Sequence, residues 1–368
     1  MKIHKIRCQF CKQELTLDSS NLQSNYHLEC LEQISKVNKD QLQKILFNLG
    51  FKKTSDSFFS DEFITKHVLI EENKIVKLFI QGQYIKGRRE KKIAIRQQNS
   101  MELQQIFDQL EEYLYLFWNL RELKITNIDF EFFPQRVFEL VNMKKISLSN
   151  SSMMILPEEF GKLANLEEIF FFDLKLKSIP ISIAYLTNLK RVYFHYLPIK
   201  NLPESIGNLQ NLQIIIFDNC SIEYLPDSIG KLSNLIELRI EKSKIKSIPD
   251  SICSLSKLKT LHLASNSITD LPENLKFLTE LEELNISKTK IKQFPDLPQN
   301  LFSLDISSTL FTELPIQIKE LRNLEYLSIQ KTKIKEIPQW LFELKNLRKL
   351  KVPLHLTKKV PFLLKELI

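Results

Sequence analysis

A proline preceded by a large apolar residue recurs at Pro134, Pro157, Pro180, Pro203, Pro226, Pro249, Pro272, Pro295, Pro315, Pro338 and Pro361. Every step is 23 residues except the one of 20 between Pro295 and Pro315. A fixed period of this length constrains the chain to a solenoid. One beat is too small to bury its own apolar face, so stability comes from stacking each beat on the next.

The beat ending at Pro249 gives the content. Leu235, Leu238, Ile240, Ile245 and Ile248 stand 14, 11, 9, 4 and 1 positions before the proline. The same register returns before Pro272 and Pro338. The Leu-x-Leu centre alternates with period two, which puts its apolar side chains on one face of a short strand. Proline cannot donate to a sheet ladder, so the extended run ends there. Pro-Asp-Ser-Ile and Pro-Glu-Ser-Ile then open a short helical turn, where proline is tolerated at the start and an acid suits the positive helix end. Each coil is thus expected to be a strand, a turn and a short helix.

These residues resemble the leucine-rich repeat family, in its 23-residue type ending in Leu/Ile-Pro-x-x-Ile-x-x-Leu, found in intracellular Ras-group and scribble-like proteins. The resemblance covers residues 118–368, about 11 coils. It implies an α/β solenoid, an arc with a parallel sheet on its concave face and short helices outside. Two departures carry expectations. The position six before each proline, usually Asn in the family, is Ser151, Cys220, Ser243, Asn266, Thr289, Thr309 or Thr332, but Ile128, Leu174 and Leu197 in early coils. Aliphatic side chains cannot bond a backbone ladder, so less regular loops are expected between about residues 128 and 200. The short beat, Phe294 to Leu301, resembles the shorter repeats of some bacterial effector proteins and leaves no room for a helix.

Ahead of the array, Cys8-Gln9-Phe10-Cys11 is followed by His27-Leu28-Glu29-Cys30. Two cysteines with two residues between them present both sulfurs to one point, and His27 and Cys30 share a helical face. Cys8, Cys11, His27 and Cys30 suit one structural, tetrahedral Zn²⁺ with no open position. The spacing resembles the first half of a LIM domain or a small treble-clef-like finger. Residues 1–37 are therefore read as a Cys3His module, to which zinc would supply on the order of 10 kcal/mol of folding free energy. Residues 38–117 read as a helix and hairpin cap with an atypical first repeat. It has a helix around Leu42–Leu49, a strand pair at Phe63–Glu71 and Lys74–Gln81, and a helix over 101–117. The basic run Lys86–Lys92 reads as a solvated loop, and Pro361–Leu367 as a closing helix.

Composition sets the function classes. No apolar run is long enough to span a bilayer, and Met1-Lys2-Ile3-His4-Lys5 lacks a signal peptide's apolar stretch. No cysteine pairs flank the array, so a cytoplasmic protein is expected. The net charge of +8, from 52 Lys+Arg against 44 Asp+Glu, is mild for the length and points to neither nucleic acid nor membrane. There is no phosphate-binding glycine loop, nucleophile elbow or metalloprotease helix, so no catalytic residues are expected.

On a parallel sheet, the residues between the Leu-x-Leu positions face away from the core. In three adjacent coils these include Phe170 and Phe172, then Tyr193, His195 and Tyr196, then Ile214 and Ile216. The next coils present Arg239, Glu241 and His262. An apolar patch that the fold does not need marks an interaction surface. The expectation is a non-catalytic scaffold or adaptor binding a protein partner on this face. The Ras-group resemblance implies a small GTPase or another signalling complex as that partner. The alternatives are a nucleic-acid-associated zinc-finger protein and a ubiquitin-ligase-type adaptor. Oligomeric state is left open.

Overall fold

A computed structural model describes residues 5–7, 14–16, 68–71, 74–81, 119–126, 133, 135–358 and 366–367. The proposed zinc ligands Cys8, Cys11, His27 and Cys30 lie outside the described residues, as do the segments expected to form the two cap helices, the basic run Lys86–Lys92 and most of the segment expected to close the array. The chain forms two compact units, Met1–Ile128 with Pro134–Met143, and Asp129–Phe133 with Lys144–Ile368.

In the first unit, β1 (Lys5–Arg7) and β2 (Glu14–Thr16) pair antiparallel, with Arg7 opposite Glu14. β3 (Val68–Glu71) and β4 (Lys74–Gln81) form the expected antiparallel hairpin. β5 (Glu122–Thr126) lies parallel to β4, with Leu78 beside Leu123 and Ile80 beside Ile125. β4 thus carries the Leu-x-Ile pattern of the repeat without its proline.

The second unit holds β6 (Lys145–Ser149), β7 (Glu168–Phe172), β8 (Arg191–His195), β9 (Ile214–Asp218), β10 (Glu237–Glu241), β11 (Thr260–His262), β12 (Glu283–Asn285), β13 (Ser303–Asp305), β14 (Tyr326–Ser328) and β15 (Lys349–Lys351). They form one parallel sheet in sequence order. Each strand starts twelve residues before its proline. The pairing keeps like positions together, Leu238 beside Ile215 and Leu261. The Leu-x-Leu residues and the leucine opening each coil are buried along the array, as with Leu235, Leu238 and Ile240. Inside the early coils Phe171, Phe194 and Phe217 stack with centroids 5.3 and 5.1 Å apart.

The turns after the prolines are five-residue 3-10 helices such as Ile181–Tyr185 and Glu204–Asn208. The proline carbonyl accepts the first bond, from Ile183 N–H at 3.2 Å in one coil and from Ile206 N–H at 3.0 Å in the next. Bonds spaced by three residues make the turn tighter than an α-helix. The acid after the proline has a further use. Glu158 accepts from the N–H of Ser182 at 2.9 Å, and Glu204 from that of Ser228 at 3.2 Å, tying each turn to the next coil. Glycine is needed where turns approach closely. A Cβ on Gly207 would lie 2.6 Å from the carbonyl oxygen of Ser228.

The expectation of irregular loops before residue 200 is corrected from residue 150 onward. Asn150, Asp173 and Tyr196 have φ of 56, 50 and 56°, matching Asn219 and Lys242 at 53 and 48°. Each donates its N–H to a carbonyl of the next coil, Asp173 to His195 and Tyr196 to Asp218 at 2.9 and 3.0 Å. Backbone bonds hold the corner, so Leu174 and Leu197 can be buried hydrocarbon there. Where the family's Asn is present, Asn266 donates to the carbonyls of Ile240 and Leu263 and accepts from Ile245 N–H, joining two coils.

The 20-residue beat has no helical turn, as expected, between β12 and β13. Ordinary coils use one leucine after the turn and another three residues on, such as Leu255 and Leu258; here Leu301 stands in both places and is fully buried. The missing turn leaves a cleft of about 570 Å³ bordered by Phe277, Asp296, Asn300, Gln317 and Glu320. Among the described residues no helix is long and apolar enough to cross a membrane.

Candidate functional site

The pleat that buries Phe171, Phe194 and Phe217 sends their neighbours to the opposite, open face. Register then aligns the open-face residues across coils. Phe170, Tyr193, Ile216, Arg239 and His262 form one row, and Phe172, His195, Asp218 and Glu241 a second. Ile214 belongs to a third, between Arg191 and Glu237. All the partner-face residues read from the sequence lie on this face and are half-exposed, except Tyr196, which follows β8 and is 49% exposed.

The rings touch across coils. Phe170 lies 6.3 Å from Tyr193 and 5.7 Å from His195, and Phe172 lies 6.2 Å from His195 and 5.3 Å from Tyr196, edge-on. Such tilted contacts suit the ring quadrupoles. Ile214 and Ile216 extend the patch by one strand. Charges fringe it. Glu168 pairs with Lys145 at 2.9 Å and with Arg191, and these partners hold its carboxyl below the usual range although burial pushes the other way. Burial lowers the pKa of His195, against the pull of Asp218 at 3.9 Å, and raises that of Tyr193. Burial thus disfavours the charged form of this histidine, whose ring packs against Phe170 and Phe172.

Beyond β9 the face becomes polar. His262 stands between Glu241, 3.6 Å from Nδ1, and Glu283, 3.2 Å from Nε2. Burial first, then the Arg239 charge, lowers its pKa. Asp218, Lys242 and Glu283 occupy open-face positions of the same repeat register, Asp218 in the coil of Ile214 and Ile216, Lys242 in that of Arg239 and Glu241, and Glu283 one coil beyond His262. Cys220 is buried, its thiol 3.4 Å from the carbonyl oxygen of Phe194, and burial pushes its pKa to about 11. Cys253, at the turn, is pushed equally high, first by burial. Neither thiol is activated. Among the described residues, no group of three or more His, Cys, Asp or Glu side chains is placed to hold a metal ion.

A family model described as leucine rich repeats in two copies matches residues 256–299. No curated protein matches the chain at the sequence level. Solved structures with the same fold include a leucine-rich repeat protein of Leptospira interrogans, 24% identical, with TM-score 0.59 and coverage of 68% of both chains. An internalin of Listeria monocytogenes is 19% identical with TM-score 0.58, covering 88% of this chain and 83% of its own. The leucine-rich repeat protein FLRT2, in an octameric complex with Latrophilin 3 and Unc5D, is 20% identical with TM-score 0.53, covering 67% of this chain and 82% of its own. Leucine-rich repeat proteins are in general protein–protein interaction modules, and the FLRT2 structure is a complex of that kind. The proline period, the one-strand-per-proline sheet and these likenesses agree that the chain folds as a leucine-rich repeat solenoid.

Proposed function

We propose that the chain is a non-catalytic scaffold that captures a partner protein on the open face of β7–β9. The observation carrying this reading is the cluster of Phe170, Phe172, Tyr193, Tyr196, Ile214 and Ile216, which the buried side of the same strands does not require. Aromatic residues that are already half-packed lose little entropy on binding and supply much contact area. The Ras-group resemblance of the repeat favours a small GTPase or another signalling complex as the partner. Unpaired Cys220 and Cys253 fit a cytoplasmic setting.

The test compares wild type with Phe172→Ala/Tyr193→Ala as bait in native lysate. The expected result is a partner protein retained by wild type and lost by the variant at an unchanged melting temperature. Equal capture by both would refute the reading.

One structural Zn²⁺ held by Cys8, Cys11, His27 and Cys30 remains part of the proposal. It is supported by the antiparallel pairing of β1 and β2 on either side of the Cys8–Cys11 pair. Elemental analysis should find one zinc per chain, lost in Cys11→Ser; a metal-free wild type refutes it.

A further inference from the structure

The open face changes sign along its length. On β9 to β13 it carries the carboxylates of Asp218, Glu237, Glu241, Glu283 and Asp305, although the whole chain is +8. The cations of this stretch are fewer, Arg239, Lys242 and Lys288. Two are already engaged, Lys242 with Asp218 at 3.1 Å and Arg239 with Glu237.

Glu241 and Glu283 instead converge on the two nitrogens of one imidazole, that of His262. A neutral imidazole has one N–H and one lone pair. It can donate to one carboxylate, and it turns a lone pair toward the other. Protonation would satisfy both, but burial and the Arg239 charge oppose it. The pair of carboxylates is therefore short of one cationic donor. Their side chains are 28 and 36% exposed, so a donor can arrive from solvent.

We infer that the partner is a polypeptide that seats a bulky apolar side chain on the rings and isoleucines of β7–β9 and a Lys or Arg side chain over His262, against Glu241 and Glu283. This deepens the scaffold reading and rests on it. β11 is two strands from the isoleucines of β9 and three from Tyr193 on β8, about 10 to 14 Å at the usual strand spacing, which an extended chain crosses in about three or four residues. The partner's anchor and its cation are thus about three or four positions apart when the segment is extended across the strands. The same carboxylates repel phosphate, which disfavours a nucleic acid or an anionic membrane on this face.

The test selects a random linear peptide library displayed on phage against the full chain, followed by titration of the selected peptides as synthetic free peptides. The expected sequences pair a bulky apolar residue with Lys or Arg. Affinity should fall about tenfold or more in Glu241→Gln/Glu283→Gln, and equally when the peptide's basic residue becomes norleucine. It should also weaken with added salt. Peptides that lack Lys and Arg, or that bind the Gln variant like wild type while still losing affinity on Phe172→Ala/Tyr193→Ala, overturn the inference and leave the scaffold reading standing. Peptides indifferent to Phe172→Ala/Tyr193→Ala, or a library yielding no binder, overturn the scaffold reading and the inference with it.

Discussion

Strands β7 and β8 carry rings on both faces and β9 on its core face, and the two sets behave differently. On the core side Phe171, Phe194 and Phe217 are nearly parallel, at interplanar angles of 5 and 17°, and are at most 3% exposed. On the open side Phe170, Phe172, Tyr193 and Tyr196 meet tilted or edge-on and keep part of their surface in water. The strand spacing is common to both sets. What differs is enclosure. The core rings are locked by the turns behind them, as where Phe160 lies 6.2 Å from Phe171, so their volume is part of the solenoid. Among the described residues the open rings meet one another and His195, with no turn packed over them.

The largest effect that could break this contrast is on the core side. Phe194→Ala, at the centre of the stack, should cost about 3–5 kcal/mol in denaturant unfolding, through lost burial and a cavity that neighbouring coils cannot close. A loss below about 1 kcal/mol would mean the stack is not what holds these coils together.

Gly207→Ala asks whether the turns help to space the stack or merely follow the sheet. The new methyl meets the Ser228 backbone, so the coils of β8 and β9 must part on the turn side. The expected cost is about 1–3 kcal/mol. Ala184 holds the same place one coil earlier, where the next serine, Ser205, is half-exposed and bonds the carbonyl of Ile181 at 2.9 Å. A neutral result would show that the sheet alone fixes the spacing.

Phe172→Ala/Tyr193→Ala should cost about 1 kcal/mol or less in stability, the scale of cross-strand pairs. A fall comparable with Phe194→Ala would place the open rings in the structural core and remove the contrast.

The contrast itself was readable from the chain because two periods coincide. The proline beat marks where each strand starts, and alternation within Leu-x-Leu says which ring faces which way. Contacts that run diagonally between coils were harder to read. His262 between Glu241 and Glu283 needs the register of three strands at once, and the drop in its pKa needs burial that no local pattern carries. The regularity of the early loops is not legible in their side chains because backbone bonds hold the corner. A further column is legible in the period itself: Asn188, Asn211 and Asn234 each donate to a carbonyl of the preceding coil, at 3.0, 2.8 and 2.8 Å. It follows the same period as the prolines.

The smallest effect concerns the charges beside these strands. Glu167, just before β7, accepts from Lys144 and Lys190 in the flanking coils, each at 2.8 Å. Those bonds lower its pKa from 4.5 to about 2. A carboxyl whose pKa falls on folding stabilises the native state above its unfolded value, and that contribution disappears as pH drops through the folded value. The stabilisation is therefore present at neutral pH, fades between 4.5 and about 2, and is absent below. The three side chains are 27 to 56% exposed, so solvent screens the pairs and Glu167→Gln should cost about 0–1 kcal/mol at pH 7. Unfolding of both proteins across acid pH should give curves that converge near the folded pKa. A gap that persists to that pH would mean the residue acts through packing. A gap as large as that for Phe194→Ala would shift stability from the enclosed rings to the exposed rim, against the distinction between the two faces.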